Sequence, residues 1–151
     1  MMSRQLMAFA TRRNLRGLAI ALVAAGAPAL AGAQQVRAQT VAGGLEHPWA
    51  VAFLPEGRFL VTERPGRMRV VEPGGRLNEP LQGLPVVAAG GQGGLLDVVT
   101  DSDFARSRTL YFCFSEPGEN GTNSTALARA RMSDDRRRLE DVKVIFSQRP
   151  K

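Results

Sequence analysis

From Val41 onward, apolar residues come in short runs broken by Pro and Gly, the pattern of strands joined by tight turns rather than of helices. The first half predicts strands at roughly Ala50 to Leu54, Phe59 to Glu63 and Met68 to Glu72, with a weaker one near Leu77 to Leu81. Pro55-Glu56-Gly57, Pro65-Gly66 and Pro73-Gly74-Gly75 supply the turns between them. The second half repeats the theme with longer loops, predicting strands at Leu95 to Thr100, Thr109 to Ser115, Ala126 to Met132 and Val142 to Phe146. Ala128, Ala130 and Met132 alternate with Arg129 and Arg131, so one face of that strand is buried. Val142, Val144 and Phe146 are expected to share one face of the last strand.

The two halves also align with each other. "PWAVAFLPEGRFLVTER" lies against "GLLDVVTDSDFARSRTLYFCFSE", and "GRMRVVEPGGRL" against "TALARARMSDDRRRL". Trp49 then matches Leu95, 46 positions on, within the roughly 40 to 50 residues of a four-stranded propeller blade. The expected fold is all-β, with about two four-stranded antiparallel blades. A propeller closes with about 4 to 8 blades, so two blades are expected to be the N-terminal part of a truncated ring. Their outermost sheets should expose apolar faces open to self-association. Ser147-Gln148-Arg149-Pro150-Lys151 reads as a loop toward a further blade, since a natural terminal repeat carries a polar cap.

Composition limits the core and the partners. Hydrophobic residues make up 44% but aromatics only 6%, so the core must come largely from Val, Leu, Ala and the seven Phe. The net charge of +6 raises nucleic acid as a partner, but Arg4, Arg12, Arg13 and Arg16 all precede the strands. Removing those four from the 20 basic residues leaves 16 against 14 acidic ones, which makes no case for a polyanion. Arg136, Arg137 and Arg138 follow Asp134 and Asp135 and read as a solvated turn.

Residues 1–33 have the three parts of a secretory signal: an arginine-bearing start, an apolar stretch from Leu18 to Ala25, and Ala31-Gly32-Ala33 at the end. That stretch is shorter than the about 20 apolar residues of a transmembrane helix. Export to the periplasm or medium with cleavage near Ala33 is expected, leaving 34–151 without a permanent membrane span. Thr11-Arg12-Arg13-Asn14-Leu15 resembles a twin-arginine signal, but paired arginines also occur in ordinary signals, and both routes stay open.

Cys113 is the sole cysteine, which excludes an internal disulfide and a cysteine-rich zinc site, and within Tyr111-Phe112-Cys113-Phe114 it reads as a small core residue. Asn120-Gly121-Thr122 and Asn123-Ser124-Thr125 fit the glycosylation pattern, but such matches arise easily in polar loops and carry no functional weight.

"LEHPWAVAFLPEGRFLVTERPGRMRVV", followed by "GGQGGLLDVVTDSDFARSRTLYFCFSE" and "MSDDRRRLEDVKVIFSQRPK", resembles the soluble aldose sugar dehydrogenases of the glucose/sorbosone dehydrogenase family, from about Leu45 to Lys151. The glycine-rich block from Gly90 to Asp97 is its most specific part, and His47-Pro48-Trp49 is weaker. The resemblance implies a six-bladed propeller that holds pyrroloquinoline quinone and calcium and oxidises an aldose at its anomeric carbon. A histidine base is implied to take the hydroxyl proton while hydride passes to the quinone.

Gln92 is the one family site residue that can be placed in this chain. Its amide can donate to and accept from cofactor or sugar oxygens, and the flanking glycines allow close backbone approach. On the loop alone, an exposed Gln92 in a glycine-rich turn is the simpler reading; the surrounding resemblance favours the cofactor role. The family's histidine, its cofactor-binding arginines and lysine and its calcium ligands are expected beyond Lys151. His47 therefore reads as structural or exposed, Arg64, Arg67 and Arg69 receive no cofactor role, and Asp97, Asp101 and Asp103 read as turn caps. Two functions follow: part of a quinoprotein sugar dehydrogenase that is inactive alone and binds its cofactors poorly, or a non-enzymatic module that pairs with itself or with another propeller fragment.

Overall fold

The computed structural model describes residues 36–151. The expected export signal lies outside the described residues. Two antiparallel sheets account for the fold, as the alternation of apolar runs and turns predicted. The first consists of β1 (Pro48–Leu54), β2 (Arg58–Glu63) and β3 (Arg67–Val71) in that order. The second consists of β4 (Leu95–Thr100), β5 (Thr109–Pro117), β6 (Asn123–Met132) and β7 (Leu139–Ser147), again in chain order. A four-residue helix, α1 (Phe104–Ser107), links β4 to β5.

Pairing follows side-chain size. Leu110, Phe112 and Phe114 of β5 stand opposite Ala130, Ala128 and Ala126 of β6, so each large side chain has a small cross-strand neighbour. All six are buried and join Leu60, Met68 and Val70 of the first sheet in one apolar cluster. Packing small against large lets the layers interdigitate without voids, so aromatic residues are needed at few positions. The two sheets are also hydrogen-bonded to each other: the Thr62 hydroxyl donates to the Leu96 carbonyl and Leu95 N–H donates to the Arg64 carbonyl.

Two expectations are corrected. Leu77 to Leu81 is not a strand, and the first sheet has three strands rather than four. Leu77 bridges Val71, Asn78 N–H donates to Val70 and Leu81 N–H donates to Met68, so the segment follows the free edge of β3. Between those bonds the segment advances three residues while β3 advances two, and Pro80 has no N–H to give. The ladder therefore breaks where its counterpart β7 continues.

The second correction concerns β7. Phe146 pairs with Leu127, whereas Val144 pairs with the adjacent Ala128, leaving Ile145 as an extra residue in a bulge. Val144 and Phe146 consequently lie on opposite faces. Val142 packs against the core, while Phe146 is 56% exposed.

The first sheet is apolar on both faces. Val51, Phe53, Phe59, Val61 and Val71 form the face away from the shared core, with Thr40, Val41, Ala42 and Leu45 along it. Phe53 stacks edge-on against Phe59 at a centroid distance of 5.5 Å, yet remains 75% exposed.

Candidate functional site: the glycine turn around Gln92

Gln92 sits on a two-residue turn closed by Gly90 and Gly93. Gly93 N–H donates to the Gly90 carbonyl at 2.7 Å, with a longer return bond of 3.4 Å. Gly91 supplies the positive φ of 54° that the first central position of such a turn requires. Gln92 is exposed at the tip.

The turn is braced from two sides. Arg64, just past the end of β2, donates from Nη1 to the Gly91 carbonyl at 2.6 Å. Its own carbonyl accepts Leu95 N–H, and its own N–H donates to the carbonyl of His47. On the other side the Ser115 hydroxyl accepts Gly94 N–H at 3.1 Å in a buried setting, and Ser115 N–H donates back to Gly94. Gln92 therefore projects from a loop tied to both sheets.

The four glycines divide into two kinds. A Cβ on Gly94 would lie 2.3 Å from Arg64 Cγ and 2.4 Å from the Arg64 carbonyl oxygen, and one on Gly93 would lie 2.9 Å from Ser115 Oγ. Those two are required by the chain's own packing. Gly90 and Gly91 would meet nothing within 4 Å; the positive φ of Gly91 accounts for its missing side chain, whereas no internal contact accounts for that of Gly90.

The neighbouring charged groups have structural partners. Glu63 is fully buried; its carboxylate accepts Glu46 N–H and pairs with Arg67 Nε at 2.8 Å, while Arg67 also reaches Glu46. These bonds, that to Glu63 foremost, raise the Arg67 pKa and hold its charge. Arg69 donates to the Asn78 carbonyl. His47 is exposed with φ 46°, at the entrance to β1. Asp97 lies within β4 rather than at a turn and accepts Val98 N–H, whereas Asp101 accepts Asp103 N–H and Asp103 pairs with Arg106 as local turn contacts. Burial, and secondarily Asp97, pushes the Cys113 thiol up, away from the thiolate. Among the described residues, no group of three or more His, Cys, Asp or Glu side chains is placed to hold a metal ion.

The sequence singles out Gln92 as a candidate but gives no sign of Arg64 and Ser115 as the braces of its turn. Arg64 lies 27 residues from Gly91 in the chain, and no local pattern announces the contact. The length of the Pro65–Ala89 connection gives no hint that its far end returns to the end of β2.

Residues 45–151 match the Glucose / Sorbosone dehydrogenase family. The aldose sugar dehydrogenase YliI of Escherichia coli K12 is 44% identical over 117 residues, covering 77% of this chain and 32% of that protein. A solved glucose dehydrogenase superposes with a TM-score of 0.72 at 53% identity, over 75% of this chain and 33% of that one. The PQQ-bound form of an aldose sugar dehydrogenase from Streptomyces coelicolor superposes with a TM-score of 0.65 at 29% identity, over 75% of this chain and 34% of that one. The chain thus spans about a third of the length of these relatives. It belongs to the glucose/sorbosone dehydrogenase family.

Proposed function

We propose that this chain is the N-terminal part of a pyrroloquinoline-quinone-dependent aldose sugar dehydrogenase, two blade-sized units of a six-bladed propeller, and that Gln92 belongs to its cofactor site. The carrying observation is the braced turn, in which Gly90 leaves an open face beside Gln92 that the chain's own packing does not use. A flat, oxygen-rich ligand such as pyrroloquinoline quinone fits that surface: backbone without side chains approaches its plane and a neutral amide meets its oxygens. The Streptomyces relative in its PQQ-bound form supports pyrroloquinoline quinone as the cofactor.

Bound pyrroloquinoline quinone would supply the hydride acceptor for oxidation of an aldose at its anomeric carbon, and Gln92 would help to hold it. The contribution of these residues is orientation. Gln92 donates one N–H and offers one carbonyl, and Arg64 and Ser115 fix the turn so that little conformational entropy is lost on binding. Among the described residues we assign no proton acceptor; His47 lies just before β1, and we assign the histidine base, the calcium ligands and the basic cofactor ligands to the part of the relatives' length that this chain does not span. The 151-residue chain alone is accordingly inactive and holds its cofactors weakly.

The role of Gln92 is tested in a chimera in which residues 45–151 replace the matching third of the E. coli relative. Pyrroloquinoline quinone should bind the chimera, and Gln92→Ala should weaken binding about tenfold, the value of one hydrogen-bonding partner at roughly 1.4 kcal/mol. Equal affinity with and without Gln92 would remove it from the site.

A second reading is favoured by the exposed face carrying Val51 and Phe53: a non-enzymatic module that associates through its sheet faces. Size-exclusion chromatography of the chain separates the readings, since a discrete folded oligomer supports the module. Export with cleavage near Ala33 is likewise part of the proposal, and N-terminal sequencing of the secreted or periplasmic protein tests it. No helix among the described residues is long and apolar enough to cross a membrane.

A further inference from the structure

At the end of the sheets opposite the Gln92 turn, a cleft of about 140 Å³ opens between the β1–β2 hairpin and the segments around α1 and the β6–β7 turn. Its size is well below the roughly 300 Å³ at which small-molecule pockets begin, so it suits an ion rather than a sugar or a cofactor. Three guanidinium groups line it, those of Arg58, Arg108 and Arg136.

The three are not equally matched. Arg58 pairs with Glu56 and Glu72, and Arg108 pairs with Asp134. Arg136 has no ion pair among the described residues, and its Nε is buried without any hydrogen-bond partner. A buried donor left unmade costs about 1–3 kcal/mol, more when charged. Glu56, Arg108 and Arg136 carry positive φ, at 60°, 53° and 57°, as turn residues, Arg108 being the left-handed C-cap of α1, and these three turns bring their side chains to the cleft.

The geometry points to this cleft as a binding site for a small oxyanion of phosphate size, held by Arg136 with Arg58 and Arg108. Glu56 is the gate: its side chain is 73% exposed, so it can swing out while Arg58 keeps Glu72. The incoming anion then supplies the acceptor that Arg136 Nε lacks. Charge-assisted bonds to guanidinium are among the stronger hydrogen bonds, and Arg presents its donors in a fork that suits oxyanions.

The test titrates the full 151-residue chain with inorganic phosphate against chloride at matched ionic strength and pH, following the Arg136 Nε–H resonance. Matching removes general screening. Saturable phosphate binding is expected, weakened at least roughly tenfold in Arg136→Asn, because Asn tolerates the left-handed backbone while removing the guanidinium. Glu56→Gln should tighten binding by deleting the competing carboxylate, which keeps the proposal testable if Arg136→Asn folds poorly. No saturable binding, or binding unchanged in Arg136→Asn, overturns the proposal. So does phosphate binding confined to Glu56→Gln, since Glu56 itself would then be the resident anion.

Discussion

The Thr62 hydroxyl donates to the Leu96 carbonyl at 2.6 Å and accepts Ala50 N–H at 3.1 Å, so one buried side chain closes a strand pair and joins the two sheets. Thr62→Val keeps the shape and deletes both bonds. The loss leaves Leu96 and Ala50 backbone groups unpaired and should cost about 1–3 kcal/mol, read as a lower urea midpoint with an unchanged slope. Thr62→Ser should recover most of it.

The glycine turn makes a paired prediction. Gly94→Ala forces a Cβ into the Arg64 backbone and should destabilise the fold by at least about 1–3 kcal/mol. Gly90→Ala meets nothing and should leave the unfolding free energy within about 0.5 kcal/mol, yet impair pyrroloquinoline quinone binding in the chimera. Equal effects of Gly90→Ala and Gly94→Ala on stability would show that the open face is not reserved for a ligand.

How much of this was legible beforehand follows from the range of each interaction. Strands β1, β2, β4 and β6 were readable because alternation such as Ala128, Ala130, Met132 is local and repeats with a period of two. The break at Glu79-Pro80 was missed because Leu77 and Leu81, following a Gly-Gly turn, resemble the ends of a short strand until the segment's donors are matched to the carbonyls of β3. The face of Phe146 was missed because a single extra residue, Ile145, inverts every later position. At the candidate site, Gln92 stands out within a glycine block, while the braces of its turn, Arg64 and Ser115, act across the fold and leave no mark on the local pattern.

Acid sensitivity should trace in part to Glu72. Its hydrogen bond from Arg58, followed by that from Asn78, holds its pKa below the ordinary value of 4.5. A depressed native pKa contributes stability that is complete above the unfolded value and lost as pH falls through the native one. Urea midpoints measured from pH 7 to pH 3 should therefore fall below about pH 4.5, and Glu72→Gln should flatten that fall while lowering the midpoint at pH 7.

Cys113 should react sluggishly. Its thiol is held in the protonated form by burial and by nearby Asp97, so labelling by a disulfide reagent at pH 8 should be slower in the native chain than in urea. Equal rates would mean that β5 opens freely.

Aldose-dependent reduction of a dye acceptor, with pyrroloquinoline quinone and calcium added, shows directly which polypeptide carries the chemistry. The 151-residue chain should give no turnover, whereas the chimera with the E. coli relative should turn over and lose about tenfold in kcat/KM on Gln92→Ala. Sugar oxidation by the 151-residue chain alone, or a chimera indifferent to Gln92, would contradict the account.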